Sequence, residues 1–156
     1  MSVGIDELFD MLSWNSDEET QRRGIELARE VKCLSVFIRP IGLNHGKDIW
    51  ENCAKVIASY PDEILFYCIP GMLEWLSDMN FPGAEIIFER LLKYQDSKSL
   101  AYRLEPLVKQ AMAWDDQFWL SNMAALLENE NLKDYLQRDI YNSLCSRYVP
   151  EEKSLQ

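Results

Sequence analysis

Few residues of this 156-residue chain combine the types and spacings that catalysis requires. His45 is the only histidine, and it lies in the segment Gly42-Leu-Asn-His-Gly-Lys47. A catalytic histidine acts on a nearby nucleophile and is oriented by a third group, and this segment supplies neither. We therefore predict that His45 is a solvated loop residue. The segment also resembles a phosphate-binding loop, but it is one residue short between the glycines, and Asp48 replaces the required serine or threonine.

Two runs of carboxylates are the remaining candidates for metal binding or acid–base chemistry. They are Asp17-Glu18-Glu19 and Asp115-Asp116. Both occur where a helix is predicted to begin, and acidic side chains at that position bind free backbone N–H groups and complement the helix dipole. We interpret both runs as helix caps and predict no catalytic residue, no cofactor and no metal site.

The four cysteines do not match a zinc or disulfide motif. No pair has the C-x-x-C spacing, and all four lie in apolar runs, where a reduced thiol packs as a small hydrophobe. They are Cys33, Cys53, Cys68 and Cys145.

The composition is that of a folded, acidic protein: 47% of the residues are hydrophobic, 27% are charged, and the net charge is −10. This charge repels phosphate backbones and anionic membrane surfaces, so we predict neither nucleic-acid nor membrane binding. It would attract a basic protein, although it would equally keep the chain soluble. Because there is no membrane-length apolar run and no signal-peptide pattern, we predict a cytoplasmic protein.

The elements that position these residues are predicted to be helices. Apolar residues recur at spacings of three and four, most clearly over residues 47–60. Residues 33–39 are ambiguous between a strand and a short helix, and because no second strand is available to pair with them, we predict a short helix that ends before Pro40. The other predicted helices cover residues 5–14, 17–32, 47–60, 62–77, 81–92, 99–114, 117–128 and 132–148.

Residues 69–92 are predicted to form two helices joined by a polar corner, Ser77-Asp-Met-Asn80. Asp78 or Asn80 is expected to cap the second helix, with Pro82 in its first turn. Pro70 is expected to kink the first helix near residues 66–69, because it removes one backbone hydrogen bond.

The same arrangement recurs farther along the chain. Pro106 follows Pro70 by 36 residues, and it also precedes an acidic turn, Asp115-Asp116, and a second helix. A single hairpin cannot bury its own apolar face, so repeated hairpins are expected to stack. The pattern predicts an all-α, HEAT/armadillo-like α–α superhelix of about four helical hairpins plus a C-terminal helix. We predict one domain over residues 1–150 and a frayed tail over residues 151–156.

Two segments resemble a family of small bacterial HEAT-like proteins. They are Ile49-Trp-Glu-Asn-Cys-Ala-Lys-Val-Ile57 and Leu73-Glu-Trp-Leu-Ser-Asp-Met-Asn-Phe-Pro-Gly-Ala84. Members carry a Trp-Glu-Asn segment and a Trp-Leu-x-Asp-x-Asn-Trp-Pro signature, and here Phe81 stands where the second Trp is commoner. The resemblance covers residues 47–94 and implies a helical-repeat fold without catalytic residues. Similar all-helical proteins are predicted immunity proteins of bacterial toxin systems, which implies a toxin as the partner.

Tryptophans near the corners define the candidate binding surface. Trp75 and Trp114 lie near the ends of first helices, beside acidic residues, and aromatic anchors among carboxylates suit a basic partner. The alternative, that these tryptophans are buried against the next hairpin, stays open. The predicted partner-binding residues are Trp75, Asp78, Asn80, Phe81, Trp114, Asp115 and Asp116.

The sequence therefore favours a non-catalytic module of the immunity type that binds a basic protein partner. The alternative enzyme is a HEAT-like DNA glycosylase, since such enzymes use Trp and Asp on a concave face. Base flipping requires a basic track for the nucleic-acid backbone, and acidic residues outnumber basic ones in both halves of this chain, which disfavours the enzyme. A structural scaffold or homodimer is the third possibility, and the oligomeric state stays open.

Overall fold

The computed structural model describes residues 3–148, and over that range the protein is all-helical, with no strand. The predicted tail, residues 151–156, lies outside the described residues. The α-helices are α1 (Ile5–Leu12), α2 (Glu18–Ala28), α3 (Lys47–Ala58), α4 (Asp62–Leu65), α5 (Ile69–Trp75), α6 (Ala84–Leu92), α7 (Ser97–Ala113), α8 (Gln117–Ala124) and α9 (Arg138–Cys145). The 3₁₀ segments are Leu34–Phe37, Phe66–Cys68, Ala125–Glu128 and Leu132–Tyr135. The first of these confirms the short helix predicted within residues 33–39.

The two internal prolines have different effects. Pro70 interrupts the predicted helix over residues 62–77: α4 gives way to a 3₁₀ segment over Phe66–Cys68, and α5 starts again at Ile69. The interruption lies where a kink was predicted, near residues 66–69, because proline has no N–H and its ring displaces the carbonyl four residues earlier. Pro106, in contrast, lies inside α7, which is assigned as one helix of 17 residues. The two prolines are therefore not structurally equivalent.

The predicted last helix, residues 132–148, is wrong in its first half. The chain forms a 3₁₀ segment over Leu132–Tyr135, becomes extended at Leu136, and begins α9 at Arg138. Glu105 of α7 accepts a hydrogen bond from the backbone N–H of Gln137 at 2.9 Å, which holds the break in place. The 3₁₀ segment packs on α7, whereas α9 packs mainly on α8.

The corner between α5 and α6 also differs from its prediction. Helix α6 begins at Ala84, so Pro82 lies before the helix rather than in its first turn. Gly83 precedes the helix with φ of 85°, a left-handed conformation that glycine adopts without steric cost. Asp78 does not cap α6, because its Oδ1 accepts from the N–H of Asn80 at 2.8 Å within the corner. Neither Asp78 nor Asn80 is the capping residue of α6.

The helices share one contiguous core. Buried apolar side chains extend from Leu8 in α1 to Leu144 in α9. Helix α1 packs on α2, α3 on α6, α5 on α7, and α7 on α8. The buried Asn52 of α3 ties the N-terminal pair to this core, because its Nδ2 donates to the carbonyl of Leu12 at 2.8 Å. None of the helices in residues 3–148 has the length and apolar character needed to cross a membrane.

Candidate functional site

The corners that follow α5 and α7 are neighbours, because α8 is fastened to the end of α5. Trp119 Nε1 donates to the carbonyl of Leu73 at 2.9 Å, and Asn122 Nδ2 donates to that of Leu76 at 2.7 Å. Leu73 lies in the last turn of α5 and Leu76 directly follows the helix, at the end where backbone carbonyl groups are open to further donors. Trp119 and Asn122 are three residues apart, on one face of α8. This docking brings Asp116, at the start of α8, beside the corner after α5.

A groove of about 410 Å³ separates the two corners. It brings together three of the seven predicted binding residues: Asp78, Asn80 and Asp116. Its lining residues are Ser77, Asp78, Met79, Asn80, Asp116, Phe118 and Asn122. The proximity that was predicted from two separate stretches of sequence is therefore present for these three residues.

The carboxylates of Asp78, Asp115 and Asp116 accept hydrogen bonds from residues that are close in the sequence. Asp116 caps α8 by accepting from the N–H of Trp119 at 3.0 Å, as predicted for this run. Asp115 has φ of 52°, a conformation that aspartate tolerates better than most residues, and it accepts from the side chain of Gln117. Among residues 3–148, Asp78, Asp115 and Asp116 form no ion pair.

The two tryptophans of the predicted surface have opposite environments. Trp75 is fully buried, with 0% of its surface exposed, and its Nε1 donates to the carbonyl of Pro82 at 3.0 Å. Its proposed role as an exposed anchor is therefore wrong, because the side chain fills the core between α5 and the α5–α6 corner. Trp114 is 66% exposed, and its ring centroid lies 6.3 Å from that of the buried Trp119. It is an aromatic surface residue with a fixed support.

Phe81 lies on the other side of its corner from Asp78. Its ring is half-buried and packs edge-on against Trp50, with centroids 5.3 Å apart. Lys47 Nζ lies 5.3 Å and Arg39 Cζ 5.9 Å from the Phe81 centroid, so two cations already contact this ring. Phe81 does not line the groove between the two corners.

Phe118 is a surface residue that is not among the seven predicted binding residues. It is 82% exposed and lines the groove with Asp78 and Asp116. The signal was present in the sequence: Trp119, Leu120 and Met123 already account for the buried face of α8, so an additional large apolar residue in the first turn has no place in the core. We use the name acidic corner for Asp78, Asn80, Trp114, Asp115, Asp116 and Phe118.

His45 is better connected than predicted. Its Nε2 lies 2.6 Å from Asp10 Oδ1 and its Nδ1 lies 2.7 Å from Asp48 Oδ2, so both ring nitrogens face carboxylates. Both hydrogen bonds raise the pKa of His45 above its ordinary value, and the one to Asp10 has the larger effect. Burial opposes them but does not outweigh them. Burial also acts to raise the pKa of Asp48, but hydrogen bonds from Gly46 N–H, His45 and Ser13 outweigh it and lower that pKa.

The His45 contacts join α1 to the loop before α3. Asp10 is 35 residues away in the sequence, so no local pattern could indicate this pairing. The arrangement brings no nucleophile to the imidazole, since both of its nitrogens are occupied by carboxylates. We interpret it as a structural clamp, and the predicted solvated histidine is wrong.

We expect the substitution His45→Gln to remove a pH-dependent part of the stability. A raised pKa in the folded state means that the contribution is complete below the unfolded pKa of about 6.5 and is lost as the pH rises through the higher folded value. At pH 5.5 the clamp should contribute about 1–2 kcal/mol, because its charge-assisted hydrogen bonds are partly exposed. Urea denaturation of both proteins from pH 5.5 to 8.5 tests this. A difference between them that stays constant over this range would contradict the clamp.

Other reactive groups in the described chain do not form a second site. Cys53 and Cys68 are buried, and burial raises the pKa of the Cys53 thiol to about 12, so its nucleophilic thiolate is suppressed. Within residues 3–148, no group of three or more His, Cys, Asp or Glu side chains is arranged to hold a metal ion. The acidic corner is therefore the strongest candidate site at the positions that the sequence indicated.

Comparison with protein-family models, curated proteins and solved structures finds no match to this chain. The resemblance of residues 47–94 to small bacterial HEAT-like proteins thus stays a prediction from the residues. The function must be inferred from the geometry of the molecule itself.

Proposed function

We propose that this protein is a non-catalytic, HEAT-like binding module that uses the acidic corner to bind a basic protein. The contacts between helices support the repeat arrangement. The first helix of one hairpin packs on the first helix of the next hairpin, as α5 does on α7. The second helices of successive hairpins also pack on each other, as α3 does on α6 and α6 does on Ala125–Glu128. Stacking of equivalent helices is the pattern expected of α-solenoids. The corners between helices then form one edge of the stack.

The observation that carries this proposal is the combination of exposed aromatic rings and unpaired carboxylates. Trp114 and Phe118 flank Asp116 in the sequence, and Phe118 lines the same groove as Asp78. Residues with large rings and few rotatable bonds lose little conformational entropy on binding, and tryptophan is enriched among residues that dominate binding energy. The support of Trp119 beneath Trp114 limits this loss further.

The charge of the corner determines the kind of partner. Asp78, Asp115 and Asp116 repel a phosphate backbone and attract lysine and arginine side chains. One cation, Arg39, lines the adjacent groove beside Trp114, but its Nη2 is paired with Glu74 Oε2 at 3.3 Å. The carboxylates of the acidic corner are therefore available to a basic surface.

We propose further that the partner is a toxin domain and that the complex forms in the cytoplasm, where an immunity protein would neutralise it. The resemblance of residues 47–94 and the net charge of −10 support this role. Neutralisation by binding requires an affinity and an on-rate that opposite charges improve.

The test is titration with purified basic toxin domains, beginning with any secreted-protein C-terminal domain encoded next to this chain. We expect the triple substitution D78N/D115N/D116N to weaken the complex roughly 10- to 100-fold, at about 0.5–1 kcal/mol per charge. Asparagine retains the local hydrogen bonds and tolerates the left-handed conformation at position 115, so the fold should be unchanged. Trp114→Ala should weaken binding roughly 30-fold.

The matched control is E30Q/E63Q/E130Q, which removes the same charge at exposed positions away from the corner. It should change the dissociation constant less than threefold. Increasing the salt concentration should weaken the wild-type complex and affect D78N/D115N/D116N less. Equal weakening by both triple variants would reject the acidic corner as the interface. Sedimentation at two protein concentrations tests the scaffold or homodimer alternative.

A further inference from the structure

A larger groove lies between α3 and α6, on the other side of the α5–α6 corner. Its volume is about 840 Å³, twice that of the groove at the acidic corner. We call it the α3–α6 groove. The two helices approach closely near Gly83, where an added Cβ would lie 2.7 Å from Ala54 Cβ. Toward the end of α3 the small side chain of Ala58 leaves space above the contact.

The floor of the α3–α6 groove is apolar. Met79, Phe81 and Ile86 line it, and all three are only partly buried while packing against the core. Burial of this exposed apolar surface by a partner would be favourable. A floor of this kind binds side chains rather than a charged or hydrated ligand.

The rim carries unpaired negative charge on both walls. Glu51 projects from α3, and Glu85 and Glu89 project from α6. All three are exposed, and none forms a hydrogen bond or ion pair with the other described side chains. Lys93 also lines the groove and Lys47 lies over the Phe81 ring, so the three carboxylates outnumber these two cations, neither of which forms an ion pair with the described side chains.

The remaining charged pair of the groove is already satisfied. Arg90 Nη2 contacts Asp62 Oδ1 at 2.6 Å and the carbonyl of Tyr60 at 2.9 Å. Asp62 Oδ2 accepts from the N–H of Gln95 at 2.8 Å. This network closes the end of the groove near the start of α4 and contributes no free charge. A ligand would therefore meet an apolar floor between acidic walls.

We propose that the α3–α6 groove binds an amphipathic helix whose apolar stripe is flanked by lysine or arginine. The apolar stripe would lie on Met79, Phe81 and Ile86, and the flanking cations would meet Glu51 on one wall and Glu85 and Glu89 on the other. Carboxylates at positions i and i+4 of α6 are about 6 Å apart along the axis, which is the rise of four residues and slightly more than one helical turn. A helix alongside α6 presents successive cations at the same interval.

A helix fits this groove better than an extended segment does. An extended peptide gains affinity by adding its backbone hydrogen bonds to a sheet edge, and both walls here are helices whose backbone groups are already paired. A helix satisfies its own backbone and packs side-chain ridges into the space between two helices. This inference does not rest on the acidic corner, because the two grooves share only Met79 among their lining residues.

The probe is a fluorescein-labelled 18-residue peptide with leucine at a helical spacing and lysine on both flanks. Its partner probe has the same composition in a scrambled order. We expect the patterned peptide to bind at least tenfold more tightly in fluorescence anisotropy, and E51Q/E85Q/E89Q to weaken it at least tenfold. Ala58→Met, which fills the floor without changing charge, should weaken it similarly. Amide shifts in ¹H–¹⁵N spectra should concentrate in α3 and α6.

Two charge-matched variants serve as controls, and both should bind the peptide within threefold of the wild type. They are D78N/D115N/D116N and E30Q/E63Q/E130Q. Equal binding of the patterned and scrambled peptides would mean that binding depends on peptide charge alone, and it would overturn the proposal. Amide shifts centred on the acidic corner would do the same. Self-association that E51Q/E85Q/E89Q abolishes would also overturn the proposal, because the groove would then bind a second copy of this chain.

Discussion

Replacing Gly83 with alanine should lower the free energy of unfolding by about 2–4 kcal/mol. The residue has φ of 85°, which costs an L-residue about 1–2 kcal/mol. An added Cβ would also lie 2.7 Å from Ala54 Cβ, 2.9 Å from the carbonyl oxygen of Trp50 and 3.1 Å from the ring of Trp75. Two of these three neighbours are backbone or a short side chain, so relief requires α3 and α6 to separate, at a cost of about 1–3 kcal/mol.

Urea denaturation followed by tryptophan fluorescence and far-ultraviolet circular dichroism measures this effect. The midpoint should fall while the slope of the transition stays the same, and the melting temperature should fall by roughly 5–15 °C. Gly4→Ala is the matched control, because Gly4 has ordinary backbone angles and no atom within 4 Å of an added Cβ. Because Gly4 is the N-cap residue of α1, where alanine is less favourable than glycine, this control should lower stability by no more than about 1 kcal/mol. If Gly83→Ala were equally harmless, the close contact of α3 with the α5–α6 corner would be wrong.

Replacing Asn129 with alanine should cost about 2–4 kcal/mol, because it removes a buried polar hub. Asn129 is 6% exposed. Its Nδ2 donates to the carbonyl of Tyr94 at 2.9 Å and is shared with those of Leu92 and Leu91 at 3.2 and 3.4 Å. Its Oδ1 accepts from the hydroxyl of Ser97 at 2.9 Å. Truncation leaves buried groups at the end of α6 without partners, and each such group costs about 1–3 kcal/mol.

Two further variants separate the polar hub from simple loss of packing. Asn129→Asp has nearly the same shape but replaces the donor with an acceptor facing carbonyl oxygens, so it should destabilise at least as much as alanine. Asn142→Ala, at an exposed position of α9, should change stability by less than about 0.5 kcal/mol. Chemical denaturation at pH 7 gives all three values. An aspartate variant close to wild-type stability would contradict the assigned hydrogen bonds.

The residues of the family resemblance meet in the core, which gives them a structural explanation. Trp50 and Trp75 pack edge-on with ring centroids 6.3 Å apart, and Phe81 packs on Trp50. Trp75 Nε1 donates to the carbonyl of Pro82, and Gly83 permits the close approach. The stretch that looked most like a recognition signature is therefore mainly the packing unit that joins α3, α5 and α6. Its exposed remainder, Asp78 and Asn80, belongs to the acidic corner.

Several features of the fold were predictable because their causes are local. The spacing of apolar residues predicted helices over residues 47–60 and 99–114, and the structure has α3 and α7 there. The break near Pro70 follows from the N–H that proline lacks. The cap by Asp116 follows from the position of its side chain, three residues before the residue whose N–H donates to it. Composition predicted a folded acidic chain. The helices, the break and the cap each depend on residues only a few positions apart, and the composition does not depend on residue order at all.

The tertiary structure alone decided which of these local features meet. The pattern of apolar residues did not predict that Trp75 is buried and Trp114 is exposed. The exposure of each ring depends on which helix covers it. The pairing of His45 with Asp10, the support of Trp114 by Trp119, and the α3–α6 groove all join distant segments. Helix formation is driven by interactions within about four residues, whereas the site is formed by the order in which helices stack. For this protein, sequence determined the elements, and packing determined the surface that they expose.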